Sequence, residues 1–102
     1  MDIKYKKTSL DLTVYVYGEL DECNASNAKN ILDKLLMDNL NISKVIFDLS
    51  GLSFMDSTGV GLLIGRYKKL NEYCIPAYIR GASSSAERVI ELAGLYGIMP
   101  KY

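Results

Sequence analysis

Asp56-Ser57-Thr58-Gly59 is the stretch of this sequence best suited to chemistry. It follows an apolar segment and precedes a helical pattern, so it places a lone serine hydroxyl at a helix N-terminus. Free backbone N–H groups and the helix dipole favour an anion there. Ser57 could therefore carry a phosphate, or form one side of an interface that a phosphate would close. The segment also has a purely structural reading, because aspartate caps helices and serine and threonine are common in a first turn. A catalytic serine would need an activating base. The chain has no histidine, which removes the commonest general base and any Ser-His-Asp relay. Lys68, Lys69 or a carboxylate would have to serve, and none is placed to do so. Gly59-Val60-Gly61 begins like a dinucleotide-binding loop, but the third glycine position holds Ile64 and glycine arrives one residue late, at Gly65. No G-K-[ST] follows, so a Walker loop is absent too.

On a helical wheel starting at Ser57, the residues Val60, Leu63, Tyr67 and Leu70 cluster between roughly 220° and 300°. That is the face expected to pack on a sheet. Ser57, Gly61, Gly65 and Lys68 fall between roughly 0° and 80°. A glycine inside a helix costs roughly 1 kcal/mol relative to alanine. Two on one outward face offer a docked partner a close approach. Alternatively, one of them lies under a crossing element of the same fold.

The elements that must position this helix can be read from the pattern. Residues 3–7 and 12–17 read as strands, the second rich in β-branched and aromatic residues. Asn24 is the expected N-cap of a helix from Ala25 to Asp38, with an apolar stripe of Ala28, Ile31, Leu32, Leu35, Leu36 and Leu40. Val45–Leu49 is a nearly continuous apolar strand, as expected when both faces are covered. A second helix is predicted from Ser57 to Tyr73 with Asp56 as N-cap. A strand follows from Ile75 to Arg80, and a third helix from Ser85 to Leu92. Ser84-Ser85-Ala86-Glu87 fits a capping box, and Gly94 a helix stop. Residues 97–100 could add a short edge strand. The order ββαβαβα implies right-handed crossovers and a mostly parallel sheet of four or five strands with three helices packed on it. A chain of 102 residues suffices for one domain, 1–102, with one core.

Composition narrows the function. The formal net charge is zero and the basic residues form no long run, so nucleic acid and anionic membrane are poor partners. Cys23 and Cys74 make neither a disulfide framework nor a metal site. The chain opens on no apolar leader, and no run of 18 apolar residues occurs. A cytoplasmic protein without cofactor or metal is expected.

The stretch Asp48-Leu49-Ser50-Gly51-Leu52-Ser53-Phe54-Met55-Asp56-Ser57-Thr58-Gly59-Val60-Gly61, continuing to Lys68, resembles the signature of bacterial anti-sigma factor antagonists of the STAS domain family. Gly18-Glu19-Leu20-Asp21 resembles the family's other marked segment, and Ala93-Gly94-Leu95 its turn after the third helix. The run Gly65-Arg66-Tyr67-Lys68 looks most like the sporulation antagonists, which release the first forespore sigma factor. Many family members continue into a further C-terminal helix, which would leave the covering of one sheet face open here.

The resemblance implies a non-enzymatic switch. The unphosphorylated antagonist binds an anti-sigma factor that is also a GHKL-type serine kinase, and a sigma factor is released. The kinase phosphorylates the serine after the motif aspartate, which is Ser57 here, and a PP2C-like phosphatase reverses the modification. The residues expected to meet the partner are Asp21, Asp56, Ser57, Thr58, Gly61, Ile64, Gly65 and Lys68. Asp21 is included because strands of a parallel sheet end on the same side, which brings its loop near the Ser57 helix. The alternative class is a STAS scaffold or signalling-assembly module without direct sigma control. A small hydrolase using Ser57 is the enzyme alternative, and the lack of histidine counts against it.

Overall fold

Leu12, Val14 and Val16 alternate with Asp11, Thr13 and Tyr15, and a period of two makes a strand with one face toward the core. In the computed structural model, which describes residues 2–102, this strand is β2 (Asp11–Leu20). β1 (Asp2–Lys7) pairs with it antiparallel. β3 (Lys44–Asp48) runs parallel to its first half, and β4 (Leu52–Met55) parallel to its last residues. β5 (Ala77–Arg80) is parallel to β3, giving the order β1-β2-β3-β5 with β4 on β2. The helices are α1 (Ala25–Met37), α2 (Ser57–Asn71) and α3 (Ser84–Leu92). This is the α/β fold that the sequence pattern predicts, with a mostly parallel sheet and three helices.

The core forms between the helices and one face of the sheet. Leu12, Val14, Val16, Val45, Phe47 and Ile79 share it with Leu32 and Leu36 of α1, Val60, Leu63 and Leu70 of α2, and Ile90 of α3. Fully burying each such side chain contributes about 1.5–3 kcal/mol. On the opposite face Thr13 and Tyr15 are half-buried and Tyr17 is exposed. Ile46 belongs to that face, yet is only 3% exposed. Its register neighbours are Thr13 and Tyr78, and Tyr102 packs edge-on against Tyr78 at 5.4 Å. Side chains of the sheet itself, then, explain the continuous apolar run of β3.

Several details depart from the sequence pattern. β4 was not expected, because Leu52-Ser53-Phe54-Met55 does not alternate. A register shift at Gly18/Glu19 sets Gly18 opposite Leu52 and Glu19 opposite Phe54, so Ser53 is an extra residue. Its Oγ donates to the Gly18 carbonyl at 3.1 Å. Secondly, Asn24 precedes α1 but its side chain caps nothing. Its Nδ2 donates to the Glu19 carbonyl at 3.0 Å, and its backbone N–H to Asp21 Oδ1 at 3.0 Å. Thirdly, α3 starts one residue early, with Ser83 and not Ser84 as its cap, accepting from Ala86 N–H at 3.3 Å. Glu87 is drawn away to the Tyr96 hydroxyl and Lys101. Fourthly, the tail makes a 3₁₀ turn at Leu95–Gly97 in place of an edge strand over 97–100. The Met99 N–H donates to the Leu95 carbonyl and both side chains are buried, leaving one parallel bridge between Lys101 and Ile79.

The end of α2 is also short of its expected limit. The helix stops at Asn71, and Cys74 turns the chain with φ +58°. Gly94 stops α3 in the left-handed conformation, at φ +71°, as expected of it.

Candidate functional site

The first turn of α2 is built by two contacts. Asp56 has an extended backbone, and its Oδ1 accepts from the N–H groups of Thr58 at 2.9 Å and Gly59 at 3.2 Å. The cap satisfies two of the donors that a helix start leaves unpaired. Gly59 then lets α2 press onto the end of β2. A Cβ on Gly59 would lie 2.5 Å from the Leu20 carbonyl oxygen and 2.8 Å from Met55 Cγ. The Asp56 N–H donates to that same Leu20 carbonyl at 3.4 Å. Strand end and helix start are thus held together through Leu20, which places the adjacent Asp21 loop beside the Ser57 turn.

Ser57 and Thr58 are exposed on this turn, and so are Gly61 and Lys68; Ile64 and Gly65 are half-buried. A Cβ added to Gly61 or Gly65 would meet nothing within 4 Å. Of the two readings of these glycines, packing beneath an element of the same fold is therefore removed. The opposite side of α2 is closed, with Val60, Leu63 and Leu70 buried and Tyr67 half-buried. Asp21 is half-buried and spends its carboxylate on the Asn24 N–H. Asp56 is likewise occupied as a cap. The exposed hydroxyl of Ser57, by contrast, makes no hydrogen bond to another described residue.

Sequence reasoning missed three residues that shape the site. Gly59 was weighed as part of a capped first turn, a nucleotide loop and the family motif, whereas its role is the close approach to Leu20. Phe54, left outside the core by the β4 bulge, is 50% exposed. Arg66 lies on the second closed flank of α2, 6% exposed, with Nε 3.1 Å from Asp33 Oδ1 of α1. The alignment falls short of a hydrogen bond, and among the described residues Arg66 Nη1 has no partner. Asp33 also pairs with Lys29 at 3.2 Å. The spacing of Leu62 and Arg66, four apart and off the main apolar stripe, was the available signal for a second packed flank.

The turn between β3 and β4, which feeds the site, is fixed by Asp48. Its Oδ1 accepts from the Ser50 N–H at 3.0 Å and the Ser50 hydroxyl at 2.6 Å, and its Oδ2 from Arg80 Nε at 3.0 Å. Burial alone would raise its pKa. The bonds from Ser50 and Arg80 outweigh that effect and hold the carboxyl below its ordinary range.

No cluster of three or more metal-ligating side chains is found among the described residues, and no helix there is long and apolar enough to cross a membrane. A groove of about 510 Å³ between β1 and α1 and a smaller cavity beside β5 both lie away from the Ser57 turn. What the turn offers is an exposed hydroxyl on a rigid, capped helix start beside an open glycine surface.

The chain is similar to known proteins over nearly its whole length. The family model described as STAS domain matches residues 2–102. The chain is 30% identical over 91 residues to an anti-sigma F factor antagonist of Paenibacillus polymyxa, covering 89% of this chain and 77% of that one. It is 33% identical over 101 residues to an anti-sigma-B factor antagonist of Staphylococcus aureus, covering 97% and 92%. Among solved structures it resembles the anti-sigma factor antagonist SpoIIAA in its unphosphorylated form, with a TM-score of 0.80 and 24% identity over 99% of this chain and 88% of that one.

Proposed function

The chain belongs to the STAS domain family, and from that premise we propose that it is a cytoplasmic anti-sigma factor antagonist switched by phosphorylation of Ser57. Unphosphorylated, it binds an anti-sigma factor that is a GHKL-type serine kinase, and a sigma factor is set free. The kinase transfers the γ-phosphoryl group of ATP to Ser57 Oγ. The phosphorylated protein no longer binds productively until a PP2C-like phosphatase removes the group. The protein is substrate and ligand in this scheme, and residues 1–102 act as one unit. Partner contacts come from Asp21, Asp56, Ser57, Thr58, Gly61, Ile64, Gly65 and Lys68. The Gly65-Arg66-Tyr67-Lys68 run looks most like the sporulation antagonists, and the likenesses take in antagonists of both anti-sigma F and anti-sigma-B factors.

The observation that carries this reading is the exposed Ser57 hydroxyl on an Asp56-capped helix start, beside two glycines that face open space. A phosphate adds about −1.5 to −2 charges at pH 7. The free protein tolerates them, because the group sits in solvent at a helix N-terminus. An interface closed over Ser57 does not. Leaving a buried charge mismatched typically costs about 2–5 kcal/mol, or roughly 30- to 3,000-fold in affinity. The switch thus acts at the interface and leaves the fold alone.

The test compares phosphorylated and unphosphorylated protein for melting temperature and affinity for the kinase. Affinity is expected to fall and melting temperature to stay. Ser57→Ala is expected to fold, bind and accept no phosphate, and Ser57→Asp to lose part of the affinity. A large drop in melting temperature with unchanged affinity, or phosphate found chiefly on Ser53, Thr58 or Ser83 by mass spectrometry, would defeat the reading.

A further inference from the structure

Phe54 is one of two phenylalanines in the chain; Phe47 is fully buried, while Phe54 stands half in solvent. The bulge in β4 is the cause, since Leu52 and Met55 turn into the core and leave Ser53 and Phe54 outside. Phe54 is in register beside Glu19, three residues ahead of Ser57. The Asp56–Leu20 hydrogen bond joins the two segments into one rim. That rim carries Glu19, Asp21, Glu22 and Asp56. No Lys or Arg occurs between Gly18 and Asn27, or between Ser50 and Gly65. Within these two segments every charged residue is acidic and Phe54 is the one aromatic residue, while Tyr17, 40% exposed with Lys4 Nζ 5.8 Å from its ring centroid, borders them.

We propose that Phe54 is the apolar anchor by which this rim seats on the kinase that modifies Ser57, entering an apolar pocket bordered by basic side chains. The inference rests on the reading of Ser57 as the phosphate acceptor. A kinase must bring the γ-phosphate of its nucleotide to Ser57 Oγ, so its surface has to close over the neighbours of that hydroxyl. Phe54 is such a neighbour, and its strand is fixed by pairing to β2. Aromatic side chains that lose all their water at the centre of an interface contribute most to binding. Glu19 and Glu22, both exposed, complement the cations that such an enzyme presents around a polyphosphate. Phe54 does not reach the reacting atoms, so it governs binding and not the transfer step.

The test uses the full chain and the purified GHKL-type serine kinase of the same organism. Affinity is measured by calorimetry with ADP, and initial phosphorylation rates with ATP. Phe54→Ala is expected to weaken binding by about 30-fold or more. It should raise KM for this substrate in proportion, with kcat unchanged and Tm lower by only about 4–8 °C, the cost of truncating a half-buried side chain. Phe54→Leu keeps most of the affinity, and Leu92→Ala, at the most exposed large apolar side chain among the described residues (83%), keeps all of it. Glu19→Lys weakens binding at low salt and flattens its dependence on sodium chloride. Wild-type affinity in Phe54→Ala overturns the anchor and leaves the Ser57 reading standing. So does a loss of binding with a fall in melting temperature well beyond that, leaving the variant unfolded at the assay temperature, which would make Phe54 a support of the fold. A wild-type chain neither bound nor phosphorylated removes both.

Discussion

Replacing three glycines of α2 by alanine, one at a time, should change stability in opposite directions. Gly61 and Gly65 each face open space, and a Cβ would touch nothing within 4 Å. Alanine there gains helix propensity without any clash. The gain is about 0.5–1 kcal/mol per site, or a rise of roughly 2–8 °C in Tm for a domain of this size. Gly59 sits only two residues before Gly61 in the same helix, but its Cβ would lie 2.5 Å from a backbone oxygen that cannot rotate away. Either the first turn lifts from β2 or the cap at Asp56 loosens. Overpacking of this kind costs about 1–3 kcal/mol, so Tm should fall by roughly 4 °C or more. Thermal and urea unfolding of the three variants would measure this. A destabilised Gly61→Ala or Gly65→Ala would refute the open-face reasoning, because those glycines would then be packed. A Gly59→Ala as stable as wild type would show that the helix start is not pinned to Leu20. The larger side chains Gly61→Leu and Gly65→Leu should keep the fold and lose most kinase binding by steric exclusion.

Asp33→Ala should destabilise by about 3 kcal/mol in urea titrations, because it strands the buried Arg66 cation, whereas the double replacement Arg66→Met/Asp33→Leu should come within about 1 kcal/mol of wild type. Cys74→Asn should raise Tm by a few degrees, since asparagine tolerates the left-handed conformation at φ +58° better than cysteine, a difference of about 0.5–1 kcal/mol. Asp48→Asn should cost about 1–3 kcal/mol at neutral pH by losing the charged bonds from Arg80 and Ser50. Its folded pKa lies below the unfolded value of about 3.9. The native contribution is therefore complete above that value and lost as pH falls through the lower folded one. The gap between wild type and Asp48→Asn should close in acid, and a gap independent of pH down to about 2 would refute the assignment.

Most of the scaffold was legible because its signals are local. Leu12, Val14 and Val16 alternate, Leu32 and Leu36 recur at helical spacing, and Asp56 stands where a cap is needed. The site was legible to the same extent, since the outward row from Ser57 to Gly65 follows from helix geometry alone. What escaped depends on contacts between distant segments. β4 breaks alternation because of a bulge that only its pairing with β2 reveals. Gly59 is required by the Leu20 carbonyl, 39 residues away in sequence. Arg66 reads as a solvated charge until α1 is set against α2 with Asp33 opposite. Asn24 and Ser84 are good cap types displaced by one local rival each, the Asp21 turn and Ser83.

With Ser57 as the phosphate acceptor proposed above, the pinning of α2 to the end of β2 also decides which copies of the protein can be modified. The fifteen residues of α2 include Gly59, Gly61 and Gly65, and a segment with three glycines is too costly to form a helix by itself. The surface around Ser57 therefore exists only when β2, β4 and α2 have assembled. A nascent or misfolded chain offers the same serine in the same sequence, but none of the preorganised shape. Its conformational entropy would have to be removed at the moment of encounter. The proposed acceptor is thus coupled to the completeness of the fold, and a kinase that reads the folded surface counts only finished molecules.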